Sequence, residues 1–191
     1  PAPAVFIRFL LLIEDKRFGE HRGVDLLGVL RAALHDWQAR NWVEGGSTLT
    51  QQLIRTRASA TIADHRRGLT CKAIEAWTAV REELRSTKAA ILGEYLETAY
   101  WGRSYHGWRS ATSGYFATSP YAMSNAQAFF LAERLAAPNR ARPIRIATLL
   151  SRPMIAEHIA LTDLNELLNS YELHFGSGET VWQELAKSHK K

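Results

Sequence analysis

Residues 70–84, TCKAIEAWTAVREEL, place Ile74, Trp77, Val80 and Leu84 on one side of a helix and Lys72, Glu75, Ala79 and Glu83 on the other. Steps of three and four residues are the helical period, so this stretch predicts an amphipathic helix opening at Thr70. On pattern alone its polar face reads as a solvated one.

The same period extends along most of the chain. Ala4 to Ile13, AVFIRFLLLI, is apolar but ten residues long and interrupted by Arg8. A membrane span needs roughly 20 apolar residues, so the segment predicts a buried or interfacial helix. It lacks the basic leader and cleavage site of a signal peptide. Opening on such a segment without a methionine, the chain reads as part of something longer.

Asp25 is placed to cap a helix carrying Leu26, Leu27, Leu30, Leu34 and Trp37, which Glu44-Gly45-Gly46 would end. Trp37 and Trp42 bracket its polar end, so Leu26 to Trp42 reads either as a core-facing helix or as one lying at a bilayer surface. Ser47 is placed to cap the next helix, through Leu53 and Ile54. Ile91, Leu92, Tyr95, Leu96 and Ala99 predict another, ending near Gly102. Ser124-x-x-Gln127 has the form of a capping box before Phe129 to Ala137, and Pro138 stops that helix. Ile144 to Tyr171 reads as two helices broken near Pro153, and Gly176 to Lys191 as a polar tail. No alternating strand of convincing length is present, and the fold class is mainly α.

The 191 residues suffice for one domain with a real core, and apolar and charged fractions of 46% and 23% are those of an ordinary globular chain. A formal charge of +5 suits phosphate-bearing ligands or an anionic membrane surface without requiring either. One cysteine, Cys71, excludes an internal disulfide. Seven histidines are scattered without metal-ligand spacing, and neither a nucleophile elbow, a P-loop nor a dinucleotide fingerprint occurs.

Three segments have the residue types for chemistry. Glu14-Asp15 follows the first apolar helix and precedes Phe18, His21, Gly23 and Asp25. A glutamate pressed against Phe18 and Ile13 would have its pKa raised, as suits a general base near neutral pH, whereas a loop whose acids pair with Lys16, Arg17 and Arg22 would be inert. His21 reads as fixing that loop. Gly45 to Leu53, GGSTLTQQL, leads a glycine pair into a helix start. Its N–H groups, with Thr48, Gln51 and Gln52, would attract phosphate or sugar, unless the stretch is only a capped helix. Glu75 becomes a second acid for sugar chemistry only if the fold brings it towards Glu14.

Taken in order, these segments resemble the motifs of the family 51 peptidoglycan glycosyltransferases, which comprise monofunctional enzymes and the polymerase domains of class A penicillin-binding proteins. Glu14-Asp15-x-x-Phe18-x-x-His21-x-Gly23-x-Asp25 is similar to the first motif, GGSTLTQQL to the second, and Lys72-x-x-Glu75-Ala76-x-x-Ala79-x-x-x-Glu83 to the third. The likeness continues through Tyr95-Leu96, Tyr100, Gly102, Tyr105, Gly107 and Tyr115-Phe116, covering about Val5 to Pro143. It implies a lysozyme-like helical domain over 1–143, with a large lobe and a small membrane-contacting lobe. Residues 144–191 would be a divergent helical extension packed on it.

The resemblance also implies a role for each residue. Glu14 would deprotonate the 4-hydroxyl of the acceptor lipid II, which attacks C1 of the donor chain and expels undecaprenyl pyrophosphate. Glu75 would assist the departing pyrophosphate, directly or through a divalent cation (Mg2+ or Mn2+). Asp15, His21, Ser47, Thr48, Gln51, Gln52, Arg55 and Lys72 would bind substrate. The expected setting is the extracytoplasmic face of the cytoplasmic membrane, in the periplasm where a second membrane exists. The chain would serve cell wall biogenesis and cell shape. Its partners would be lipid II, the growing glycan strand, the membrane surface and other cell-wall synthesis proteins, with no nucleic acid.

The chain departs from the family pattern in several places. Cys71 stands where an arginine is usual, removing a charge-assisted phosphate contact. Thr56 and Glu97 replace asparagines, Gln127 a glutamate, Glu133-Arg134 a Gly-Leu, and Ala117-Thr118 a Gly-Lys. These leave two alternatives open: a homologue that binds lipid II or a cell-wall partner without polymerising it, and a hydrolase of lipid-linked glycan.

Overall fold

The computed structural model describes residues 1–30, 46–61 and 69–188. Leu34, Trp37, Trp42, Glu44 and Gly45 lie outside the described residues. Those described are mainly helical, with no strand beyond an isolated bridge between Tyr100 and His106. The helices are α1 (Ala4–Glu14), α2 (Leu49–Thr61), α3 (Leu69–Glu83), α4 (Lys88–Thr98), α5 (Trp108–Phe116), α6 (Asn125–Arg134), α7 (Pro143–Leu150), α8 (Pro153–Ala156), α9 (Leu161–Phe175) and α10 (Gly178–Ser188). None of the described helices is long and apolar enough to cross a membrane.

The chain forms two compact units, one of residues 1–13 with 100–191 and the other of residues 14–99. The first is built around α6, whose residues Phe129 to Arg134 are all buried. Ser124 and Gln127 form the capping box expected at its start. From α1, Phe6 meets Trp101 at 5.6 Å between ring centroids and Phe9 meets Phe129 edge-on at 5.8 Å. Gly102 has a φ of 91°, and a Cβ there would lie 2.1 Å from the Pro138 carbonyl oxygen, so only glycine lets that turn close.

On the other side of α6 lie α9 and its aromatic residues. The guanidinium of Arg134 stacks on Phe130, Tyr171 and Phe175, donates to the Arg140 carbonyl at 3.0 Å and pairs with Glu133, which also accepts from the Tyr171 hydroxyl at 3.0 Å. A buried charge needs such partners, and the family's Gly-Leu is replaced here as a charged pair rather than as one stray charge. The polar tail expected after Gly176 is instead helix α10. Val181 and Leu185 lie one turn apart and are buried, and α10 packs on α7 and α9. Two apolar residues among many polar ones gave too weak a period to reveal it.

In the second unit, α2 packs on both α3 and α4. Leu49 and Leu53 of α2 are fully buried, as are Ile91, Tyr95 and Leu96 of α4. Arg57 fastens the three together, reaching Glu82 at 2.9 Å and Glu94 at 2.6 Å.

Helix α3 is turned opposite to the simplest reading of its pattern. Ile74, Trp77 and Leu84 are 61%, 61% and 71% exposed, while Glu75, Ala79 and Glu83 face inward. The cause is the loop after α1. Gly23, at a φ of 90°, lies so close to α3 that a Cβ would meet the Ala79 backbone at 2.6 Å. The small Ala79 admits the loop, and the carboxylates beside it become interior groups.

Candidate active site

Glu14 closes α1 and is half-buried, and Gln52 of α2 donates from Nε2 to its Oε2 at 3.0 Å. One turn further along α2, Arg55 donates from Nε to Glu75 Oε1 at 2.7 Å. Residues three apart share a helix face, so α2 holds the two glutamates on one side through Gln52 and Arg55.

Glu75 itself is clamped. Its Oε2 accepts from Lys72 Nζ at 3.0 Å, and the same ammonium donates to Ser47 Oγ at 2.8 Å. The side chains of Lys72 and Arg55 are about half exposed, at 48% and 45%, whereas that of Glu75 is 10% exposed. The arrangement presents two solvent-reaching cations fixed from beneath by a buried carboxylate, as suits a phosphate or pyrophosphate group.

Asp15 and His21 are both buried and hold the loop. His21 Nε2 lies 3.0 Å from each Asp15 carboxylate oxygen, and Asp15 Oδ2 accepts the Leu49 N–H at 2.9 Å. Thr48 and Gln51, also buried, form a reciprocal cap. The Thr48 hydroxyl accepts the Gln51 N–H at 3.2 Å, and the Gln51 amide oxygen accepts the Thr48 N–H at 3.0 Å. The Thr48 hydroxyl in turn donates to the Gly23 carbonyl at 2.7 Å.

Two expectations change accordingly. Thr48, not Ser47, caps α2, leaving Ser47 to Lys72. At the start of α2 the N–H groups of Thr48, Leu49 and Gln51 are also not left for an anion, because Asp15 and the Thr48–Gln51 cap already use them. Anion affinity falls to Lys72 and Arg55.

Ten residues were candidates, and the structure links five through α2: Glu14, Gln52, Arg55, Lys72 and Glu75. Ser47 joins them through Lys72, and Asp15, His21, Thr48 and Gln51 form the support beneath. Three residues of the quoted motifs, Tyr95, Thr50 and Glu83, support the site in ways the sequence alone does not reveal. The Tyr95 hydroxyl donates to Gln52 Oε1 at 2.7 Å, and Glu83 accepts from Thr50 Oγ1 at 2.5 Å and from Lys88 at 2.7 Å. Tyr95 had stood out only as part of the family pattern, because its partner is 43 positions away in the chain.

A divalent cation finds a poor donor set here. Both Glu75 oxygens are engaged by cations, and no group of three histidine, cysteine or acidic side chains suited to a metal occurs among the described residues. Hard cations want several oxygen ligands, so no step is assigned to one.

The second unit thus holds two carboxylates on one face of α2, beside the two cations fixed on Glu75. Residues 1–159 match the transglycosylase family, and this chain belongs to it. It is 36% identical to penicillin-binding protein 1A of Streptococcus oralis over 142 residues, 74% of this chain and 22% of that protein. It is 35% identical to penicillin-binding protein 1B of Haemophilus influenzae over 147 residues, covering 75% of this chain and 18% of that one. The biosynthetic peptidoglycan transglycosylase of Alcanivorax borkumensis is 38% identical over 132 residues, with 69% and 52% covered. The chain thus spans about a fifth of the penicillin-binding relatives and half of the third.

Proposed function

We propose that this chain is a peptidoglycan glycosyltransferase that polymerises lipid II into glycan strands. The observation that carries the reading is the joint anchoring of Glu14 and Glu75 to one face of α2, through Gln52 and Arg55. Glu14 takes the proton from the acceptor's 4-hydroxyl, and the freed oxygen attacks C1 of the donor sugar with inversion. The C1–oxygen bond to undecaprenyl pyrophosphate breaks, and the leaving group departs with both electrons. Its charge is met by Lys72 and Arg55, which stabilise it without a proton transfer. Glu75 orients these two cations.

The substrate's lipid tail would hold the reaction at a membrane, in this reading the extracytoplasmic face of the cytoplasmic membrane. Leu26, Leu27 and Leu30 support a membrane-facing surface, being 76%, 62% and 58% exposed where a core-facing helix would bury them. A second reading rests on Cys71, which is exposed and one turn before Glu75. With a thiol there, the chain would bind lipid II without polymerising it. Incubation with labelled lipid II separates the readings: polymer supports the transferase, free disaccharide a hydrolase, and bound but unchanged substrate the binder.

A further inference from the structure

We propose that Tyr95 is a positioning residue that fixes which end of the Gln52 amide faces Glu14. A glutamine amide has a donating and an accepting end, and rotation by half a turn exchanges them. Gln52 stands between Glu14, whose carboxylate can only accept, and a Tyr95 hydroxyl that donates. The Glu14 carboxylate accepts from Nε2 at 3.0 Å, and the Tyr95 hydroxyl donates to Oε1 at 2.7 Å. Flipped, the amide would turn its carbonyl oxygen on a carboxylate and take Oε1 away from the Tyr95 O–H that donates to it.

Tyr95 is suited to hold this choice. It is 2% exposed, on α4 beside the buried Ile91 and Leu96, so little water competes for its hydroxyl. Burial and the neighbouring Glu14 charge push its ionisation well above the usual tyrosine value, so it remains an O–H donor across the working pH range. A hydrogen bond from Gln52 favours the charged form of Glu14, the form a base must have before it reacts. The chain of effect runs Tyr95 to Gln52 to Glu14.

This deepens the reading of Glu14 as the base and rests on it for the rate measurement, but not for the titration. Protein labelled with 13C at its glutamate carboxyls gives the Glu14 titration directly, the signal being assigned by its loss in Glu14→Gln. In Tyr95→Phe and in Gln52→Met the Glu14 midpoint is expected to rise by up to about one pH unit. The double variant should rise no further than Gln52→Met alone, since Tyr95 acts only through Gln52. In the polymerase assay, Tyr95→Phe should shift the acid limb of the kcat profile to higher pH, lowering kcat by up to about tenfold on that limb with KM nearly unchanged.

An unmoved Glu14 midpoint in folded Tyr95→Phe overturns the proposal, as do additive shifts in the double variant. Should Tyr95→Phe fail to fold, 3-fluorotyrosine in place of the tyrosines takes its place. The stronger phenol donor should then lower the Glu14 midpoint, and an unchanged one overturns the proposal. If the midpoints move as expected while the parent makes no polymer, the relay stands and the proposed function fails.

Discussion

Arg55 and Glu75 meet at 2.7 Å, and Lys72 grips the other oxygen of the same carboxylate at 3.0 Å. The pairing joins two helices and leaves both cations with their heads towards solvent. Their value to the protein is accordingly in binding charge rather than in stability, since half-exposed ion pairs contribute little. Arg55→Ala should weaken lipid II use roughly tenfold in kcat/KM while moving the melting temperature little, and Arg55→Lys should recover part of the loss. Steady-state kinetics with thermal melting checks this. Unchanged kinetics in Arg55→Ala would remove the cation from the leaving-group site.

Asp15 carries the opposite balance. It is buried and accepts from both His21 and the Leu49 N–H, so Asp15→Asn turns an NH2 towards a group that is itself a donor. The expected cost is roughly 2–3 kcal/mol, or about 5–10 °C in melting temperature for a chain of this length. A variant that melts with the parent would show that the carboxylate does not hold the loop.

The outline of the fold was legible because helical period, capping boxes and prolines are local signals. The expected capping box at Ser124 and Gln127 is formed, and the Asp25 side chain accepts the Gly28 N–H at 2.9 Å, as a cap should. The orientation of α3 was not legible. Period reveals that a helix has two faces, but which face is interior depends here on Gly23 pressing against Ala79, 56 positions apart in the chain. The site's acids and cations could be read from motif resemblance. Tyr95, Thr50 and Glu83 stand in the same motifs, but their roles could not be read, because each acts through a partner supplied by the tertiary fold.

The exposed leucines after Asp25 make a membrane prediction. Leu30→Glu replaces a side chain already largely in solvent, so the fold should survive, while binding to liposomes of anionic lipid should fall severalfold. Co-sedimentation of folded variant and parent measures it. Equal binding would place the membrane contact elsewhere.

Cys71 lies on the exposed side of α3, a turn before Glu75, and its thiol is a weak donor beside a guanidinium. Cys71→Arg adds a third cation near Lys72 and Arg55. A charge-assisted hydrogen bond of roughly 1.5–3 kcal/mol corresponds to about one to two orders of magnitude, so polymerase activity should rise by up to that factor. A flat lipid II titration for the folded variant would show that the two existing cations already suffice.

The central claim is that Glu14 is the base, and one measurement meets it directly. Glu14→Gln keeps the size of the side chain while removing the group that accepts the proton. Purified parent and variant, matched for melting temperature, are incubated with labelled lipid II, and polymer is separated from unreacted substrate. The parent should form glycan strands and the variant should lose at least about two orders of magnitude in rate. Polymer formation by the variant at near the parent rate would contradict the assignment of Glu14.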